Sequence, residues 1–204
     1  MKEYGYKQSN FDHTLFIKKS WKKQVVLLVH ADDMILTGDD QQWIQALKEH
    51  LTTVFEMKDL GQLKYFLGIE VTRSNKGIYL SQQKYTLGLL AKTGILDCKP
   101  VQTPLEMNHR LGIYPDQIPA KHDRYQKLVR KLIYLLHTRP DIAYAVSVVS
   151  QFMHTLSEDH MNAVLRIPMC LKGSPGNGLL FRKYEKLDVE GYTISDWPKD
   201  MNVE

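Results

Sequence analysis

The chain has 204 residues, 43% of them hydrophobic and 25% charged, which is ordinary for a soluble globular protein with a real core. Its 27 Lys and Arg against 23 Asp and Glu leave +4 at pH 7, a mild excess that permits a nucleic-acid partner without implying one. Cys98 and Cys170 sit in no metal-binding or disulfide spacing, which fits a reducing, intracellular setting, cytoplasm or nucleus. No apolar run approaches the roughly 18 residues needed to span a bilayer, so no membrane partner is expected.

In chain order, Thr14 to Lys18 and Gln24 to Ala31 read as antiparallel strands, with Lys18, Lys19, Lys22 and Lys23 in an exposed turn between them. Val25 to Val29 is a continuous apolar run, which predicts a strand covered on both faces. Met34 to Gly38 returns beside it and leaves Asp32 and Asp33 at the hairpin tip. Asp39 and Asp40 then cap a helix whose apolar positions Trp43, Ile44, Leu47, Leu51 and Phe55 recur at three- and four-residue spacing.

Leu63 to Thr72 and Gly77 to Ser81 follow as two strands, joined by a polar turn, and a helix runs from Gln82 to about Thr93. Between Cys98 and Arg124 lie Pro100, Pro104, Pro115 and Pro119, half of the chain's 8 prolines, which marks a linker and domain boundary. Tyr125 to Thr138 and Pro140 to His154 have helical periodicity, with Pro140 at a first-turn position. Glu158 to Leu171 is a third helix, but Pro168 lies inside it at a cost of roughly 3 kcal/mol, which predicts a break or kink. The glycine-rich run from Gly173 to Gly178 lacks the Lys-Ser/Thr of a phosphate loop and follows a helix, so it reads as a plain turn. Leu179 to Arg182 and Leu187 to Thr193 close the chain as strands, where a new sheet begins.

The pair Asp32-Asp33 is the main candidate for chemistry. By pattern alone it reads first as two aspartates in a turn, where they are common. At a buried hairpin tip, however, two like charges raise each other's pKa, and a hard divalent cation such as Mg²⁺ relieves that cost. Two-metal nucleotidyl transfer needs a further carboxylate from elsewhere.

The block Leu28-Val29-His30-Ala31-Asp32-Asp33-Met34-Ile35-Leu36-Thr37-Gly38 resembles the Tyr-x-Asp-Asp box of copia-type retrotransposon reverse transcriptases, with His30 at the tyrosine position. The resemblance continues through Phe55 to Gly61, Leu63 to Val71, Tyr79 to Tyr85, Leu132 to Leu135, His137 to Val146 and Gly178 to Phe181, and so covers nearly the whole chain.

What that resemblance implies is an α+β chain in four parts. Residues 1–97 would be a partial polymerase palm of antiparallel sheet and packed helices, 98–124 a proline-rich linker, 125–177 a helical connection, and 178–204 the truncated start of an RNase H-like sheet. Asp32 and Asp33 would be metal-binding catalytic residues, and Tyr65, Phe66, Leu67 and Gly68 a primer-grip-like element. Lys58 would lie near a nucleotide's phosphates. Tyr65, Phe66 and Leu67 fit the core of a strand equally well, and a lone lysine such as Lys58 is usually just solvated surface.

The implied cofactor is Mg²⁺. The implied partners are an RNA or DNA primer-template and the rest of the Pol polyprotein. The family's fingers and the strand bearing its first metal-binding aspartate are expected before Met1. Gly191 to Trp197 resembles the opening of RNase H, with Ile194 where an aspartate is expected. An RNA-directed DNA polymerase fragment inactive in isolation is therefore expected, with a noncatalytic nucleic-acid-binding remnant as the alternative.

Overall fold

A computed structural model describes residues 4–112 and 121–183, and the chain divides into two units, Met1–Lys64 and Tyr65–Glu204.

In the first unit the β-branched runs form one antiparallel sheet in the order β1 (Lys7–Gln8), β2 (Leu15–Lys19), β3 (Gln24–His30) and β4 (Asp33–Gly38). The two-residue β1 has no counterpart in the sequence reading, being too short and polar to show a period. Helix α1 (Gln41–Val54) follows, started by Asp40, whose carboxylate accepts from the backbone N–H groups of Gln42 and Trp43 at 3.0 and 3.1 Å. Leu47 and Leu51 of α1 pack with Val25, Leu27 and Tyr6 as the buried core of this unit.

Two expectations are corrected here. Val25 and Leu27 are fully buried but Val26 and Leu28 only half so, so β3 is covered on one face. Phe55 is the residue that ends α1, half exposed, because the helix stops at Val54 before a further turn carries the apolar stripe to it.

The second unit begins with β5 (Tyr65–Phe66), β6 (Ile69–Ser74) and β7 (Gly77–Ser81) and continues with α2 (Gln83–Thr93) and α3 (His122–Leu135). A 3₁₀ turn at Pro140–Ile142, α4 (Ala143–Ser150), α5 (Glu158–Lys172) and β8 (Gly178–Arg182) complete it. The single strand expected over Leu63 to Thr72 is instead a tight hairpin. Phe66 pairs with Ile69 across Leu67 and Gly68, whose φ values of 47° and 83° are both left-handed, the geometry of a twist-matched two-residue turn.

The sheet order is β5-β6-β7-β8, with Ile78 opposite Phe181. Gly178–Arg182, expected to open a new RNase H-like sheet, instead forms β8 and finishes the sheet that β5 to β7 began; the residues after Lys183 on which the rest of that expectation falls lie outside the described residues. Leu187 to Thr193, Gly191 to Trp197 and Ile194 lie outside the described residues, as do Pro115 and Pro119.

Tyr125, Leu128, Val129, Leu132 and Leu135 form the inward stripe of α3 at helical spacing, against Ala145, Val146 and Val149 of α4 and Val164, Ile167 and Leu171 of α5. The Tyr125 hydroxyl donates to the Val149 carbonyl at 2.6 Å inside this core.

Helix α5 runs unbroken through Pro168, against the expected break, because the proline lies buried in the same stripe and that packing offsets one missing backbone bond. Its start is fixed reciprocally: the Ser157 hydroxyl accepts from the His160 N–H, and His160 Nδ1 accepts from the Ser157 N–H at 3.1 Å.

The proline-rich stretch is no free linker over its described part. Leu105 joins the helical core, the Val101 N–H donates to the Met169 carbonyl at 3.4 Å, and Lys172 Nζ donates to the carbonyls of Leu96 and Cys98. His122 to Arg124, assigned to the linker from sequence, already belong to α3, and the division between compact units falls at Lys64, not in this stretch.

Candidate functional site

The β3–β4 hairpin turns on two residues, Ala31 and Asp32, with His30 opposite Asp33 at the head of the ladder. Ala31 carries a φ of 48°, a left-handed conformation that costs a non-glycine residue on the order of 1 kcal/mol. Asp32 therefore lies in the turn and Asp33 opens β4, both exposed. The tip is not buried as the sequence argument assumed. Water can solvate both carboxylates, so their mutual repulsion is weakened without a metal.

Carboxylate oxygens are the donors that a hard divalent cation prefers. Among the described residues, however, no group of three or more His, Cys, Asp or Glu side chains is positioned to hold a metal ion. Two solvent-open carboxylates do not fit the metal pair that phosphoryl transfer requires, which needs a further ligand.

At the other end of β3, order is stronger. Lys23 Nζ lies 2.9 Å from the buried Asp40 carboxylate, and its hydrogen bond, with those from Trp43 and Gln42, holds the Asp40 pKa below the ordinary aspartate value. Lys18 Nζ sits 4.4 Å from the centre of the Trp43 ring. Lys18 and Lys19 belong to β2, and only Lys22 and Lys23 of the four expected turn lysines lie in the connection itself.

Lys58 is exposed in the segment after α1, where its neighbour Asp59 pairs with Lys48 at 2.9 Å.

Tyr65, Phe66, Leu67 and Gly68 fall in the second unit, on the β5–β6 hairpin. Tyr65 is 54% exposed and Leu67 42%, so this element is at most half core. Lys84 Nζ stands 5.7 Å from the Tyr65 ring centre, and the Lys84 N–H donates to Glu70 Oε1 at 2.8 Å. Gly68 is favoured by its positive φ, and a Cβ there would also come within 3.1 Å of the Tyr134 hydroxyl oxygen and press on it. Tyr134 in turn meets Tyr85 and His137 edge-on at 5.1 and 5.7 Å, and burial, with Tyr65 nearby, raises its pKa.

Sequence reasoning missed this buttress, whose members lie far apart in the chain. It also missed a groove of about 680 Å³ between α2 and the start of α3. Lys92, Lys121, Arg124, Lys127 and Lys131 line it, Leu89 and Leu128 are also among its walls, and Asp123 is the acidic residue among the described ones that line it. Lys127 and Lys131 recur one turn apart in the sequence, but Lys92 reaches the same groove only through the tertiary fold.

A third arrangement is structural. Arg139, 2% exposed, makes two bonds to Asp141, Nε to Oδ1 at 2.8 Å and Nη2 to Oδ2 at 2.7 Å, and donates through Nη1 to the Ser174 carbonyl at 2.7 Å. That guanidinium keeps the Asp141 carboxyl below its ordinary pKa.

Residues 1–107 match the family described as "Reverse transcriptase (RNA-dependent DNA polymerase)". Over 198 residues the chain is 39% identical to the retrovirus-related Pol polyprotein from transposon RE1 of Arabidopsis thaliana, covering 97% of this chain and 14% of that protein. It is 34% identical over 212 residues to the Pol polyprotein from transposon TNT 1-94 of Nicotiana tabacum, covering 99% of this chain and 16% of the relative. An uncharacterized mitochondrial protein of Arabidopsis thaliana is 39% identical over 171 residues, 84% of this chain and 71% of its own length. The chain thus spans a small part of the polyproteins it matches. No solved structure matches it.

Proposed function

Since the chain belongs to the reverse transcriptase family of copia-type retrotransposon Pol polyproteins, we propose that it is a segment of an RNA-directed DNA polymerase that does not catalyse polymerisation by itself. The observation that carries this reading is the two-residue turn at the head of β3 and β4, which presents Asp32 and Asp33 to solvent inside the family's Tyr-x-Asp-Asp-like box.

In the intact polyprotein Asp32 and Asp33 would be the catalytic carboxylates that hold Mg²⁺, and the β5–β6 turn, with Tyr65 to Gly68 braced on Tyr134, the primer-grip-like element. Lys58 would meet nucleotide phosphate. The partners are a primer-template and the rest of the Pol polyprotein. Among the described residues no third metal-ligating side chain joins these two carboxylates, and a phosphoryl-transfer site short of one ligand keeps little of its rate.

The test is primer extension on RNA and DNA templates with Mg²⁺ or Mn²⁺. No extension is expected from the wild type. Extension that disappears in the Asp32→Asn, Asp33→Asn double mutant would overturn the assignment of inactivity.

A second reading, a noncatalytic nucleic-acid-binding remnant, is favoured by the basic groove beside α3 and by the exposed Lys127 and Arg130 on that helix. Affinity for a primer-template that falls steeply with salt, and is weakened by Lys127→Ala and Arg130→Ala, is what this reading expects. Binding indifferent to salt would exclude it.

A further inference from the structure

The described residues carry two almost fully exposed aromatic side chains in the first unit, Phe11 at 102% and Trp21 at 93%. They stand at opposite ends of the same sheet, because the β1–β2 connection and the β3–β4 turn share one end and the β2–β3 connection lies at the other. Their electrostatic settings also differ. Phe11 is followed by Asp12 at the end that bears Asp32 and Asp33, whereas Trp21 is flanked by Lys19 and Lys22, and the acidic residues at its end, Asp39 and Asp40, are engaged by the Gln24 N–H and by Lys23.

The local structure fixes this arrangement. Lys19 opposes Gln24 as the last pair of the β2–β3 ladder, and the Ser20 N–H donates to the Lys23 carbonyl at 2.8 Å, closing a four-residue connection with Trp21 at its apex. The two outer lysines are committed inward, Lys18 over the Trp43 ring and Lys23 against Asp40. Lys19 and Lys22 remain exposed on either side of the indole.

We propose that Trp21 is a base-stacking residue for single-stranded nucleic acid, with Lys19 and Lys22 holding the adjoining phosphates. An aromatic face bordered by cations suits unpaired bases, since every base offers a π-face and the backbone supplies the counter-charge. A protein partner fits less well, because from Ser20 to Lys23 the tip offers one ring among polar residues. This inference rests on the nucleic-acid reading above and extends it to the end of the sheet farthest from the Asp32-Asp33 turn.

The experiment is fluorescence anisotropy of the full chain with a labelled single-stranded oligothymidylate over a salt series, alongside the same length of duplex. Trp21→Ala should weaken single-strand binding by about tenfold without changing the salt slope, the effect of losing one stacked base. Trp21→Phe should retain most of the affinity. The Lys19→Ala, Lys22→Ala variant should flatten the log–log slope by about 1.4, the value for two single-strand phosphate contacts.

Wild-type binding that Trp21→Ala leaves unchanged would overturn the inference while sparing the nucleic-acid reading. An absence of wild-type binding even at low salt would overturn both. Equal loss of duplex and single-strand affinity in Trp21→Ala would exclude stacking. So would an oligomer seen by size exclusion that Trp21→Ala disperses with oligonucleotide affinity intact, which would make the indole a protein contact.

Discussion

The two units hide very different amounts of apolar surface behind equally regular secondary structure. Among the described residues fifteen buried hydrophobic side chains form the helical core of the second unit, whereas five form the core beneath the sheet of the first. Burial drives folding at about 25 cal/mol per Å² of apolar surface, so the helical unit has the larger reserve of stability. Yet the Asp-Asp turn that defines the family motif lies on the thin unit. A solvent-exposed turn is not also packed, and these two carboxylates are therefore carried where little else holds the chain.

The largest effect that would sharpen this contrast is a cavity in the helical core. Leu132→Ala should cost about 3–4 kcal/mol, read from the shift of the urea midpoint. Leu47→Ala in the first unit should cost about 2–3 kcal/mol by the same measure. In hydrogen exchange its effect should be confined to the amides of β1 to β4 and α1. Loss of protection across both units would break the comparison by showing that they unfold together.

Next comes the Arg139 cluster. Asp141→Ala should cost about 2 kcal/mol. That is below the usual cost of breaking a buried pair, because Asp141 is itself 54% exposed and so partly screened. The pH dependence follows in sign. Because Arg139 lowers the folded-state pKa of Asp141, its contribution is complete above the ordinary carboxylate value near 4 and is lost as pH falls through the lowered one. The stability difference between wild type and Asp141→Asn should thus be largest near neutrality and shrink in acid.

Tyr125→Phe should cost about 1 kcal/mol, since it removes the shorter of two bonds that the Val149 carbonyl accepts and leaves it the 3.3 Å bond from the Phe152 N–H. The smallest effect expected is at the motif itself. Asp32→Asn with Asp33→Asn should change stability by no more than about 0.5 kcal/mol, because both side chains are exposed. A larger change at the turn than at Tyr125 would reverse the contrast.

The sequence was most legible where the signal was local. The β3–β4 hairpin, the Asp40 cap, α2 and the apolar stripes of α3 and α5 all repeat within a few residues, and periodicity finds them. The Leu67-Gly68 turn was hidden because Leu67 carries no turn signature, and the apolar run Leu63 to Val71 reads through it. A break at Pro168 was wrongly expected because local propensity counts the lost hydrogen bond but not the buried stripe that offsets it. The Gly68–Tyr134 contact and the groove joining Lys92 to Lys127 depend on residues brought together from distant segments, which no local pattern encodes. The positions of Asp32 and Asp33 were legible, but their exposure was not, since the apolar run of β3 suggested more cover than one face receives.

The pairing of β7 with β8 has a consequence for the order of events in folding. Leu80 meets Leu179 across nearly a hundred residues of intervening chain, whereas every strand of the first sheet pairs with its immediate successor. Loop-closure entropy rises with the logarithm of the loop length, so the last strand of the second sheet docks late unless the helices between have already assembled and shortened the search. On a ribosome the first unit can close before its successor has emerged, while the outer edge of β7 waits for Gly178–Arg182 to arrive. During that interval β7 is an open template for strands from other molecules. The hazard of misassembly in this protein is therefore concentrated in time, in the delay between synthesis of one strand and of its partner.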